Sequence, residues 1–179
     1  KTVGYTNVVT ATSGNQTSSD SASISEYVYF APDIVKHRPG YDCNGTVCLL
    51  SWEVDLINNQ LFDLKGYSIV DSLHQYSNYN HTFEGDASVL ITYSNGQTQT
   101  VEGAFPFKFE DSNLLVDGNL NEFNLTNSVA EISRVDIDYL SKFSCVNIGS
   151  CNFNSPVYNY IYLYYGNAQV DYDWWYYSL

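Results

Sequence analysis

The chain has 179 residues and 44% hydrophobic content, enough for one domain with a full core, which excludes a disordered protein. A net charge of −13, with 7 Lys+Arg against 20 Asp+Glu, argues against nucleic-acid binding, since phosphate neutralisation needs clustered cations. It also disfavours anionic membrane surfaces, and no apolar run approaches the roughly 20 residues of a membrane helix. The start at Lys1, with no Met anywhere, suggests a mature product after signal removal.

The first residues read as an isolated strand. Val3, Tyr5, Val9 and Ala11 fall on one face of an extended segment interrupted by Asn7, and Thr2, Gly4, Thr6, Val8 and Thr10 fall on the other. Residues 13–23 (SGNQTSSDSAS) have almost nothing to bury and read as a polar linker. The expected layout is a strand over 1–12, a linker over 13–23 and a body over 24–179.

The body reads as strands separated by turns. Glu26–Phe30 is a short strand closed by Ala31-Pro32, and Val47–Leu56 is apolar enough to be central. Tyr67–Leu73 follows. Ala87–Ser94 and Gln97–Ala104 flank Asn95-Gly96, a strong hairpin signal. Pro106 places the aromatic stretch Phe105–Phe109 at an edge or bulge. Val129–Leu140 alternates as a strand, although a run without Gly or Pro also allows helix. Val157, Ile161 and Leu163 share a face with Asn159, and Tyr158, Tyr160, Tyr162 and Tyr164 share the other. Gly166-Asn167 makes the turn into Ala168–Leu179. About nine strands at this spacing predict an all-β fold, an immunoglobulin-like or jelly-roll β-sandwich.

Four cysteines form two close pairs, predicting local bridges Cys43–Cys48 and Cys145–Cys151. Zinc is the competing reading, but the spacings are loose and His37 lacks a partner, so no metal is expected. Sequons occur at Asn15, Asn44, Asn80 and Asn124, all in segments read as loop or linker. With 18 Asn, 20 Ser, 11 Thr and 17 Tyr, the polar surface is mostly uncharged, as in secreted or cell-surface β-proteins. Covalent N-glycans are expected, and no cofactor.

Catalytic signals are scarce. His37, His74 and His81 stand apart, and no nucleophile elbow, P-loop or H-E-x-x-H occurs. Asp136/Asp138 and Asp171/Asp173 could bind calcium or hydrolyse a glycoside, but the simpler expectation is the wet side of a strand, so no enzyme is expected. A crosslink from lysine to asparagine or aspartate beside an acid is a further reading, but lysines are few and the sequence does not give their surroundings. The tyrosines with Trp174-Trp175 suggest a sugar-binding face, a sandwich core or a subunit interface. The two tryptophans point to opposite faces, so at most one joins an exposed platform.

The N-terminal strand, polar tether, and Tyr/Asn/Ser/Thr-rich sandwich with sequons resemble the donor-strand filament subunits of the archaeal cell surface, the "thread" pilins, similar in fold to bacterial type-I pilins. The resemblance lies in layout and composition across the whole chain. It implies a head-to-tail homopolymer serving adhesion or cell–cell contact. Val3, Tyr5, Val9 and Ala11 would be the donor-strand residues inserted into the next subunit. The implied setting is extracellular, with self as partner, surface glycans as a further partner, and neither nucleic acid nor membrane insertion. The alternative is a secreted carbohydrate-binding module or lectin with an aromatic face, and a third reading is another surface or capsid-like jelly roll.

Overall fold

The computed structural model describes residues 2–27, 32–110, 113–116, 119–120, 131–147, 149, 152–153 and 156–179. The chain divides into two compact units, Lys1–Phe30 and Ala31–Leu179.

The first unit is an antiparallel hairpin. β1 (Thr2–Ser13) and β2 (Gln16–Tyr27) pair without interruption from Thr2↔Tyr27 to Ser13↔Gln16. The turn is Gly14-Asn15, with Gly14 at φ 59, a conformation that favours glycine in a two-residue hairpin turn. The linker expected over 13–23 is thereby corrected: all but its turn is strand. Low apolar content signalled a tether, but Ser and Thr fit an extended backbone, and β1 supplies a partner ladder. Cross-strand hydroxyls add to it, with Thr6 Oγ1 3.0 Å from Ser23 Oγ. The boundary also moves, from residue 24 to 31.

The second unit is an all-β sandwich, and no α-helix occurs among the described residues. One sheet has the order β3-β4-β11-β6-β7: β3 (Asp33–Asn44), β4 (Val47–Ile57), β6 (Tyr79–Tyr93), β7 (Thr98–Gly103) and β11 (Ile132–Cys145). The other has the order β10-β9-β8-β5-β12-β13: β5 (Tyr67–Leu73), β8 (Phe107–Glu110), β9 (Asn113–Val116), β10 (Asn119–Leu120), β12 (Pro156–Tyr165) and β13 (Ala168–Ser178). All ladders are antiparallel. The sheets bury a shared core. Leu50, Trp52 and Val54 on β4 and Val135 and Ile137 on β11 line one wall, while Ile69, Phe107, Ile161 and Leu163 line the other.

Burial follows the alternation. β12 buries Val157, Asn159, Ile161 and Leu163 and leaves the intervening tyrosines half-buried. β11 buries Val135, Ile137, Tyr139, Ser141 and Phe143, but Ile132 is buried too. A register shift between Ile132 and Arg134 turns it inward. β8 pairs with β5 on one side and β9 on the other, correcting the edge placement of the aromatic stretch, and Phe107 and Phe109 are fully buried. Pro106 lies just before β8, where its missing N–H breaks no ladder.

β3 has no counterpart in the sequence reading. Lys36-His37-Arg38-Pro39-Gly40 looks like a break, yet the strand runs through it with a register shift between His37 and Gly40. An edge strand tolerates that irregularity because only one side is paired by backbone.

The register of β11 predicts unequal costs for neighbouring substitutions. Ile137→Ala should lower unfolding stability by about 2–5 kcal/mol. Leu140→Ala, at a 39% exposed position, should stay within about 0.5 kcal/mol. Denaturant midpoints of the two variants check this.

Candidate functional site

Side chains, not a backbone ladder, close one corner of the sandwich. β3 and β13 run side by side at the edges of different sheets. Ile34 N–H donates to Asp171 Oδ2 at 2.9 Å, and Lys36 N–H donates to Asp173 Oδ2 at 2.8 Å. Further along, Gly40 N–H donates to the Tyr177 hydroxyl at 2.9 Å, and Arg38 Nη1 donates to Tyr176 O at 2.7 Å. Carboxylates two apart on β13 thus match N–H groups two apart on β3, so the edge of β3 is satisfied without a neighbouring strand. The Asp171/Asp173 pair is therefore structural, which corrects the expectation of a merely wet strand face. Beside this seam lies a cleft of about 480 Å³ lined by Val35, Lys36, His37, Asp173, Trp174, Trp175 and Tyr176. The Arg38 guanidinium sits 4.8 Å from the Trp175 ring centre.

The opposite face of β12 and β13 carries a lattice of aromatic rings. Tyr158, Tyr160 and Tyr162 stack along β12 at 6.4–6.5 Å. Across the strands, Tyr162 stacks on Tyr172 at 6.4 Å, and Trp174 lies 5.8 Å from Tyr158. Trp174 is 42% exposed and Tyr172 55%. Trp174 joins this lattice and Trp175 faces the seam, the opposite orientations expected from adjacent strand positions.

Two polar clusters lie inside. Lys36 Nζ donates to Asp71 Oδ2 at 2.9 Å and also to the Tyr139 hydroxyl. The Tyr139 hydroxyl donates to Asp71 Oδ2 and accepts from Asn159 Nδ2 at 3.0 Å. In the second cluster, Trp52 Nε1–H donates to Ser141 Oγ at 2.8 Å, and Ser141 Oγ lies 2.9 Å from His81 Nε2. His81 Nδ1 lies 3.1 Å from His74 O. A neutral imidazole satisfies both contacts, donating through Nδ1 and accepting at Nε2. Burial accordingly lowers the His81 pKa to about 4.

On the outer face of the five-stranded sheet, Arg134 bridges Asp55 at 2.8 Å and Asp136 at 2.5 Å. Burial raises the Asp136 carboxyl above its usual range, against the hydrogen bond from Arg134. Asp138 is exposed and outside this group. No group of three or more potential metal ligands occurs among the described residues.

The remaining sequence-derived sites divide clearly. Cys43–Cys48 is bridged. Cys145 is disulfide-bonded, while its expected partner Cys151 lies outside the described residues. Asn15 and Asn44 are exposed, at the hairpin turn and the end of β3. Asn80 is exposed but lies in β6, a correction to its loop placement: β6 starts well before the apolar run that announced it. Asn124 lies outside the described residues. Val9 and Ala11 are exposed in β1, with Val9 at 64%. Val3 and Tyr5 lie in β1, with their side chains outside the described set. The Lys36–Asp71–Asn159 cluster escaped the sequence reading. Its one signal was Asn159 among aliphatic residues on the inward face of β12.

The fold and these sites define the chain as an all-β sandwich carrying at least one disulfide, preceded by a separate β-hairpin. No helix among the described residues is long and apolar enough to cross a membrane. No family model matches the chain, and no curated protein matches it.

Acid should act through His81. Its folded pKa lies below the unfolded value of about 6.5, so its contribution is complete above that pH and is lost on acidification towards about 4. The full loss is about 3 kcal/mol. Comparing urea midpoints of wild type and His81→Gln across this window should show a flatter pH profile for the variant.

Proposed function

We propose that this protein is a non-catalytic, extracellular, glycosylated structural subunit that polymerises head-to-tail through its N-terminal hairpin. One observation carries the reading: residues 6–23 form two well-paired strands, yet every one of them is exposed. A lone two-stranded hairpin is marginal in water, so this one gains its stability from a sheet it joins. β1 is paired on one side only, and its free edge can add to a sheet in another copy by β-augmentation. The period-2 face of Val3, Tyr5, Val9 and Ala11 would then turn towards the neighbour's core. The edge of β3 is a poor acceptor because Asp171, Asp173 and Tyr177 occupy it. β7 is the better one: Thr98–Gly103 has a single acidic residue, and no side chain is seen bonding its outer edge among the described residues. A contact between two different surfaces of identical chains does not close on itself and so builds a filament. The disulfide and the exposed sequon asparagines at 15, 44 and 80 support an extracellular, glycosylated setting.

Removal of residues 1–27 should abolish polymers seen by electron microscopy and sedimentation while leaving a folded body. Val9→Asp should weaken assembly without unfolding the body. Polymers that persist without the hairpin would overturn the proposal, as would a full-length chain that stays monomeric at high concentration.

The exposed ring lattice favours a second reading, a carbohydrate-binding module in which sugars stack on Tyr160, Tyr162, Tyr172 and Trp174. Under it, Trp174→Ala should weaken polysaccharide binding by roughly tenfold in isothermal titration. Deletion of residues 1–27 should leave that binding unchanged.

A further inference from the structure

Lys36 is fully buried, with its nitrogen 5.0 Å from the Trp52 ring centre and 4.9 Å from that of Tyr139. It comes from β3 in one sheet and meets Asp71 on β5 and Asn159 on β12 in the other. Asp71 pairs with Ile161 and Asn159 with Leu73, so Asp71 and Asn159 are diagonal neighbours on one inward face. The Asn159 amide donates to the Tyr139 hydroxyl, which also receives Lys36 and donates to Asp71. An amine, a carboxyl and a primary amide therefore converge in a dry, aromatic-walled site.

As a non-covalent cluster this is incomplete. Asp71 Oδ1 and Asn159 Oδ1 are buried without hydrogen-bond partners among the described residues, each costing about 1–3 kcal/mol. A buried ion pair is itself weak evidence for stability, because desolvation offsets most of the attraction. Burial also drives the pair towards its neutral forms. Desolvation lowers the Lys36 pKa and raises that of Asp71, each against the attraction of the other. A neutral amine has a lone pair to give, and a neutral carboxyl has a proton to give.

We propose that Lys36 and Asn159 are joined by an intramolecular amide bond, with Asp71 carrying the proton and ammonia leaving. The Lys36 nitrogen attacks Cγ of Asn159, forming a new C–N bond and placing negative charge on Oδ1. Asp71 supplies a proton for the departing Nδ2 and recovers one from the attacking nitrogen. The Cγ–Nδ2 bond breaks as the carbonyl reforms. One amine and one primary amide become one secondary amide and one ammonia, with no change of oxidation state and no other reactant. Tyr139 positions both reacting side chains through its hydroxyl. The product ties the first strand of the body to an interior strand of the opposite sheet, an arrangement that resists pulling the sheets apart whether or not the chain polymerises.

The test is the intact mass of the full chain, produced without glycans and fully reduced. It should fall below the sequence mass by about 17 Da, the mass of ammonia. Trypsin should fail to cut after Lys36, and tandem mass spectrometry should find a branched peptide joining residues 36 and 159. Lys36→Ala and Asp71→Ala should each restore the full sequence mass. A wild-type chain at sequence mass, with Lys36 and Asn159 in separate peptides, would overturn the proposal. A loss of about 18 Da with a branch between residues 36 and 71 would overturn the assignment to Asn159. The branched peptide is read on wild-type protein, so the test holds even where a variant fails to fold. It is equally readable on monomer and polymer, which separates it from the assembly proposal.

Discussion

Lys36 crosses the interior from β3 to Asp71 on β5, linking two sheets that share no backbone ladder among the described residues. A full positive charge there would be costly to desolvate, so its surroundings are arranged around it. Trp52 and Tyr139 face it with ring π-systems, Asp71 lies against it, and Asn159 completes the ring of contacts. Each of these residues comes from a different strand, so β3, β4, β5, β11 and β12 must all be in register for the site to exist. Misalignment of any one would strand a polar group in an apolar core. A network of this kind selects one packing of the sheets over near alternatives.

The same strand explains how the corner is closed. With Lys36 anchored inside, the outer edge of β3 lies beside β13. Asp171, Asp173 and Tyr177 bond its N–H groups in place of a strand. Tyr177 also donates to Ser51 O, carrying the closure on to β4. An edge satisfied in this way is closed to pairing with other chains. The hairpin 2–27 has the opposite character: its ladder is complete internally, and its described side chains all face solvent. One molecule therefore carries a guarded edge and an open strand pair. Under the assembly proposal, that contrast would be the physical basis of directional association.

Legibility in the sequence followed the strength of the local pattern. β5 and the β12–β13 hairpin were readable because alternation and the Gly166-Asn167 turn agree. β6 was readable only in its C-terminal half, since Tyr79–Asp86 carries polar residues and a bulge at Gly85. β3 was invisible, because a Pro-Gly pair within a charged run is a turn signal that a one-sided edge strand can absorb. β2 reads as a tether because it has almost nothing to bury, whereas pairing with β1 suffices for a strand. The Cys43–Cys48 bridge was readable from five-residue spacing across a glycine turn. Asp171/Asp173 stands out as a pair in the sequence, but its role depends on N–H groups about 137 positions away.

The sequence by itself determined the all-β character, the two faces of β12, the Cys43–Cys48 bridge and the strongly acidic charge balance. These follow from composition and from periodicities that act within a few residues, so no distant partner is needed to express them. Only the tertiary structure decided that residues 16–27 pair with the N-terminal strand, that β13 guards the edge of β3, and that Lys36, Asp71, Tyr139 and Asn159 share one site. Their separations, 35 positions between Lys36 and Asp71 and 103 between Lys36 and Tyr139, are bridged by strand order and register alone. Local pattern carries no record of which strands become neighbours, and the chemistry at the centre of this protein belongs to those neighbours.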